Sequence, residues 1–222
     1  MKAFRPIFLA GLLISAANAG PIATERKSQF EKAMNVIMAS VTPNLSDLLR
    51  EDLVRDYVNA KPNKGQAVEL ADGHYFRSAA HEDYSVTSDR TLEACQLRFG
   101  KPCALLAIND DIAAEGDLKS ADMPRLHYSG EFDLAKIPII RAVTRARADV
   151  QSYFGAAGPK AVAIHPWGLL FISTGKANSR DAQDAALAAC NSDPRRNFKD
   201  GNCFVYAVDN QVIISERRQL GK

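Results

Sequence analysis

Residues 161–212 read AVAIHPWGLLFISTGKANSRDAQDAALAACNSDPRRNFKDGNCFVYAVDNQV. AVAIH (161–165) is a short apolar run, and Pro166-Trp167-Gly168 leads from it into a second run near 169–173. Two such runs around a Pro/Gly turn predict a β-hairpin. From Ser179 to Cys190, Ala and Leu fall on one helical face, with Ser179 placed as an N-cap. Cys203 then opens FVYAV, an apolar run expected to be a buried strand, with a short last strand over 211–215. An amphipathic helix over 139–154 precedes the hairpin, so the order is α-β-β-α-β.

The same order occurs about 95 residues earlier. Pro43-Asn44-Leu45, Arg50 and Tyr57 answer Pro138-Ile139-Ile140, Arg145 and Tyr153. QAVEL (66–70), the Asp72-Gly73 turn and a strand near 74–79 answer the hairpin, with Ser88 as the matching N-cap. Thr91 to Cys95 answers Ala186 to Cys190, and Cys103 to Asn109 answers Cys203 to Asp209. The expected fold class is therefore α+β, with two tandem α-β-β-α-β units related by internal duplication. The first unit covers 43–115 and the second 137–222, joined by a connector over 116–136. Before them, residues 20–42 hold an extra amphipathic helix whose Phe30, Met34, Ile37 and Met38 share a face.

The chain has four cysteines: Cys95, Cys103, Cys190 and Cys203. Each unit holds one at its second helix end and one at the start of the next strand, which favours the local pairs Cys95–Cys103 and Cys190–Cys203. Such bonds clamp a helix-to-strand turn. Closing loops of about 8 and 13 residues contributes on the order of 2.5–3 kcal/mol each in the chain-entropy model. A zinc site or a redox dithiol fits poorly, because no C-x-x-C occurs and no histidine is close to a cysteine in sequence.

Residues 1–19 have the three parts of a secretory signal: Lys2 and Arg5, an apolar core over 7–14, and Ala17-Asn18-Ala19 before the cleavage point. The apolar run is too short to span a bilayer as a helix. The 222 residues carry 28 basic and 26 acidic side chains. Removing Lys2 and Arg5 leaves a neutral body, so phosphate-rich partners lose their compositional support and no nucleic acid is expected. A periplasmic or secreted protein with no membrane span is expected, which also agrees with an even cysteine count.

The pattern A-L-x-x-C followed by C-x-x-Y-A-V resembles that of uncharacterised exported proteobacterial proteins, which carry it singly or in tandem. More distantly, it is similar to a secreted bacterial domain of unknown function. The resemblance covers about 40–215, and Ala161 to Val212 carries it best. It implies an envelope location and a repeated small α+β domain, and it implies no chemistry.

No G-x-S-x-G, H-E-x-x-H, P-loop or G-x-G-x-x-G is present, and no cofactor is expected. The histidines are His74, His81, His127 and His165. His74, His81 and Glu82 are the candidate metal ligands, although an extended 74–81 would put the two histidines on opposite faces. His165 and Trp167 at a hairpin end, and Arg195, Arg196 and Lys199 in the second cysteine loop, are the candidate binding residues. The leading expectation is a non-enzymatic binding or interaction protein with an unknown protein, peptide or glycan partner in the envelope. Its surface is expected in the groove between the units or on the Trp167 and Arg195–Lys199 loops. The alternatives are an envelope hydrolase or metal-dependent enzyme, and an inhibitor or immunity-type protein.

Overall fold

A computed structural model describes residues 21–113, 118, 129–197, 199 and 201–216, with side chains from residue 25. The signal segment, His127 and most of the expected connector lie outside the described residues. The first half comprises α1 (Pro21–Val41), α2 (Asp47–Asn59), β1 (Gly65–Glu69), β2 (His74–Ser78), α3 (Tyr84–Phe99), β3 (Cys103–Ile108) and β4 (Asp111–Ile112). The second comprises β5 (Gly130–Glu131), α4 (Ala142–Arg145), α5 (Ala148–Ser152), β6 (Ala161–His165), β7 (Leu169–Ser173), α6 (Ser179–Asn191), β8 (Phe204–Val208) and β9 (Gln211–Val212).

The chain is mixed α+β, with two antiparallel sheets ordered β2-β1-β3-β4 and β5-β9-β8-β6-β7. Both disulfides expected from spacing are present, Cys95–Cys103 and Cys190–Cys203. Each joins the last turns of a helix to the residue that opens, or immediately precedes, the central strand beside it. No helix among the described residues is long and apolar enough to cross a membrane.

Local chemistry explains where the elements begin and end. The Asp83 carboxylate accepts from the Val86 amide at 3.1 Å, and the Asn178 side chain accepts from the Asp181 amide at 2.9 Å. These residues, not Ser88 and Ser179, are the N-caps. Ser88 lies inside α3 and Ser179 is the first residue of α6. An extended residue with a side-chain acceptor satisfies amides that the helix itself leaves unpaired. At its other end α3 stops at Gly100, whose left-handed φ of 70° lets its amide reach the Gln96 carbonyl at 2.8 Å.

The helix expected over 139–154 is two short helices, α4 and α5. The Arg145 guanidinium reaches the carbonyls of Leu134 and Ile137, and Arg147 donates to the Leu170 carbonyl at 2.9 Å. Arg147 itself is extended, with φ −60° and ψ 139°. Side-chain bonds to neighbouring backbone thus override the helical periodicity of the segment. Residues 130–136, read as the end of a connector, instead supply edge strand β5 against β9 and the buried Phe132. The last strand is also shorter than expected, ending at Val212.

Both central strands are buried on two faces, as β1 and β6 show at every residue. Val68, Ala104 and Leu106 pack outward on Met34, Met38, Val54 and Tyr57 of α1 and α2. The stripe expected on the N-terminal helix is therefore core. Ala161, Ala163 and Val205 pack on Ala182, Ala186 and Leu187 of α6. The remaining faces share one central core, in which Phe76, Leu92 and Leu97 meet Ile137, Ile140, Ile164 and Tyr206. That core joins the two halves.

Each half repeats one polar network. Tyr57 donates to the Asn109 carbonyl at 2.9 Å, and Tyr153 donates to the Asp209 carbonyl at 2.7 Å. The amides of Lys64 and Lys160 donate to the side chains of Asn109 and Asp209, each at 3.1 Å. Asn109 and Asp209 both adopt left-handed backbone, with φ 51° and 50°. The ladders β1–β3 and β6–β8 also shift register at the same place, after Gln66 and after Val162.

Candidate functional site

A cleft of about 430 Å³ opens between the two halves. The first half contributes Phe76 and Ser78 from β2, Ala79 and His81 after it, and Arg90 and Ala94 from α3. The second contributes Ile139, Arg141, Val143 and Thr144 around α4, the hairpin turn Pro166-Trp167-Gly168 with Leu169, and Lys199. The volume lies within the range of small-molecule sites, which favour apolar concavities between substructures with a few polar groups.

Three contacts hold the walls together. The rings of Phe76 and Trp167 lie 5.4 Å apart and tilt by 52°. Arg141 donates to the Ala80 carbonyl at 3.1 Å. The Ile139 amide donates to the Glu93 carboxylate of α3 at 2.7 Å. Ile139 is also the centre of a tight turn, since the Ile140 amide reaches the Pro138 carbonyl at 2.6 Å. Its φ of 55° is rare for a β-branched residue and marks a strained backbone. Glu93 supports this turn from one side. Opposite, Gly168 is needed at φ 78°, because a Cβ there would sit 2.9 Å from the Ile139 carbonyl oxygen. Strain of this kind persists only where the surroundings enforce it.

The polar wall is a chain of hydrogen bonds. Thr91 donates to the Thr87 carbonyl at 2.7 Å, Ser78 and Thr91 share a 2.7 Å contact, and His81 Nε2 lies 2.8 Å from Ser78 Oγ. Counting protons fixes the direction. Thr91 spends its single hydroxyl proton on the Thr87 carbonyl, so Ser78 donates to Thr91, and His81 Nε2–H donates to Ser78. In this arrangement His81 cannot take the Ser78 proton, as a general base for a nucleophilic serine must. Burial, reinforced by the positive charge of Arg90, lowers the imidazole pKa to about 4, so the ring is neutral at physiological pH. Gly65 makes room for the chain: a Cβ there would lie 2.3 Å from Thr91 Oγ1.

The candidate metal ligands His74, His81 and Glu82 do not converge. His74 opens β2, whereas His81 is tied to Ser78 at its far end, roughly 13 Å away at the strand rise per residue. Glu82 pairs with Arg90. His74 instead lies near Glu69 and Asp72, a group whose ligand atoms all fall within 4.8 Å of one another. The buried Glu69 carboxylate already accepts from the amides of Ala71 and Asp72 at 2.8 and 2.9 Å, and Asp72 is bound to Lys101. These groups clamp the β1–β2 turn, and His74 stacks on Phe99 at 5.2 Å.

His165 occupies the position of Glu69 in the other hairpin and does the same work. Its Nδ1 accepts from the Trp167 amide at 3.2 Å, so the proton sits on Nε2, which donates to the Gly201 carbonyl at 3.1 Å. The ring is fully buried, and burial lowers its pKa to about 4. It ties the hairpin to the second cysteine loop and is closed to a ligand, contrary to the expectation for this residue. Arg195 is paired with Asp193, with its guanidinium carbon 5.6 Å from the Phe171 ring centre. Arg196 binds the Asn191 and Gly201 carbonyls at 3.0 Å each. Both brace their own loop. Of the expected binding set, Trp167 and Lys199 line the cleft.

The spacing had shown Tyr57 and Tyr153, but not the lysines seven residues after each. Lys160 Nζ donates to the carbonyls of Tyr153, Phe154 and Ala156, and Lys64 Nζ donates to the Val58 carbonyl. Neither repeated arginine ties its helix to the sheet. Arg50 pairs with Asp47 on its own helix, and Arg145 binds loop carbonyls. Phe76, Ser78, Arg90 and Arg141 carry no sequence signal, because only the packing of the two halves makes them neighbours.

Neither a protein-family model, a curated protein nor a solved structure matches this chain.

Proposed function

We propose that this protein is an exported, non-enzymatic ligand-binding protein built from two duplicated α+β units, with its binding surface in the cleft between them. The observation that carries the reading is the cleft itself. It is lined from both halves and walled by Phe76, Ile139, Trp167 and Leu169, with polar groups at its side. The matching Tyr57–Lys64–Asn109 and Tyr153–Lys160–Asp209 networks support the duplication. Export to an oxidising compartment is supported by the two disulfides and by the signal-like residues 1–19. The resemblance to exported proteobacterial proteins agrees with it.

The test is native mass spectrometry of the protein isolated from its own compartment. Wild type should carry a small-molecule adduct, and Trp167→Ala should lose it while keeping its circular dichroism. An adduct equally retained by Trp167→Ala would move the site elsewhere.

The rival reading, an envelope hydrolase, has one observation in its favour: the 2.8 Å contact between Ser78 and His81 in a cleft. The donor order argues against it. If the rival were right, Ser78→Ala would abolish turnover of activated esters and stop active-site labelling by a fluorophosphonate. On the binding reading, wild type and Ser78→Ala are equally unreactive.

A further inference from the structure

We infer that the cleft takes a single-headed anionic amphiphile, a carboxylate or like anion on an apolar body, held with its head at Arg141 and Lys199. This rests on the reading of the cleft as the binding site and adds the chemistry of its occupant.

The charge of the lining is one-sided. Arg90, Arg141 and Lys199 all border the cleft, and no carboxylate does among the described lining residues. Arg90 is neutralised by Glu82, which leaves Arg141 and Lys199 to receive a head group. Arg141 is exposed, and its hydrogen bond to the Ala80 carbonyl aligns a guanidinium that has five N–H donors. A planar guanidinium and an ammonium lining one cleft suit a carboxylate, because charge-assisted bonds to it are short and strong. His81 donates through Nε2 to Ser78 and adds no charge to this set.

The rest of the cavity argues for the apolar body. Phe76 and Ala94 face it from one half, and Ile139, Val143, Trp167 and Leu169 from the other. A compact dianion such as inorganic phosphate would leave these surfaces wet. An uncharged hydrocarbon would offer Arg141 and Lys199 no anion within the cleft, whose described lining holds no carboxylate.

Trp167 is the single tryptophan of the chain and lines the cleft, so its emission reports occupancy. The full-length mature protein is titrated at neutral pH and low salt with decanoate, 4-phenylbutyrate and the matching uncharged alcohols, 1-decanol and 4-phenylbutan-1-ol. Equilibrium dialysis measures each Kd independently of the fluorescence. At least one acid should bind about tenfold or more tightly than its alcohol, and the Arg141→Gln/Lys199→Gln variant should erase that difference. Gln at 141 keeps a donor for the Ala80 carbonyl, and circular dichroism and Tm verify that the variant is folded. The decanoate and phenylbutyrate arms separate a fatty-acid source from an aromatic-acid source. Equal affinity for acid and alcohol, or a preference that survives the double variant, overturns the anionic class and leaves the cleft as the binding site. Inorganic phosphate competing as well as the acids overturns the amphiphile. If no probe binds while wild type still yields a Trp167-dependent adduct from its own compartment, this inference fails and the proposed function stands.

Discussion

The indole of Trp167 and the phenyl ring of Phe76 meet with centroids 5.4 Å apart, one from each hairpin, where the two halves of the chain share a core. Phe76 is buried and Trp167 is half-buried at the edge of the cleft. Truncating Phe76 to Ala should cost roughly 3–5 kcal/mol, the range for a buried phenylalanine. Trp167→Ala should cost less, and the double-mutant cycle should show a coupling of about 0.5–1.5 kcal/mol, as for an aromatic pair. Urea unfolding followed by circular dichroism measures all four corners. Strict additivity would mean that the rings touch without stabilising the join.

The disulfides should act separately. Cys95→Ala/Cys103→Ala and Cys190→Ala/Cys203→Ala should each lower stability by about 2.5–3 kcal/mol, the second pair slightly more because its loop is longer. Peptide mapping without reductant should recover only the two local pairs. A cross-half pair would contradict the connectivity in Cys95–Cys103 and Cys190–Cys203.

Acid should weaken the fold through its buried histidines. Burial lowers the pKa of His165 to about 4, from an ordinary value near 6.5. Below pH 6.5 the unfolded chain therefore takes up a proton that the folded chain refuses. The stabilisation from the neutral ring is complete above pH 6.5 and is lost as pH falls toward 4, by roughly 1.4 kcal/mol per pH unit. His81, lowered to about 4 by burial and Arg90, adds to the same slope. His165→Gln should flatten the profile between pH 6.5 and 4.5 by close to one proton, read from urea midpoints. An unchanged slope would show that His165 protonates equally in both states.

The two buried lysines should differ. Lys160 Nζ satisfies three carbonyls at 2.7–2.8 Å, whereas Lys64 Nζ satisfies one and lies 3.6 Å from Asp110. Lys160→Met leaves more carbonyls without donors and should cost roughly 2–4 kcal/mol, with Lys64→Met costing about half as much. Thermal unfolding of the pair decides it, and the reverse order would refute the carbonyl count as the cause.

Much of each half could be read along the chain. The hairpins, a helix carrying a cysteine in its last turns and a strand at or just after the next cysteine are local patterns, although α3 runs on past Cys95 to Phe99. Helical and two-residue periodicities, turn residues and short-loop disulfides depend on neighbours within about 15 positions. The buried stripe from Phe30 to Met38 was legible for the same reason, whereas Tyr57 and Tyr153 stood out only by matching each other across 96 residues. The reading failed where distant backbone intervened. Arg147 binds the Leu170 carbonyl, 23 residues on, and with the bond from Arg145 to Ile137 breaks one expected helix into α4 and α5. His165 is committed to Gly201, 36 residues on, so its candidacy as a ligand dissolves.

The amino-acid order alone thus placed the hairpins, the long helices and the pairing of the cysteines, because these rest on short-range geometry. The tertiary structure alone decided which groups line the cleft between the halves. Phe76 and Trp167 are 91 positions apart, and the Arg141–Ala80 bond spans 61. Burying the facing surfaces of two sheets in one core brings these groups together, and no periodicity within either half encodes that approach.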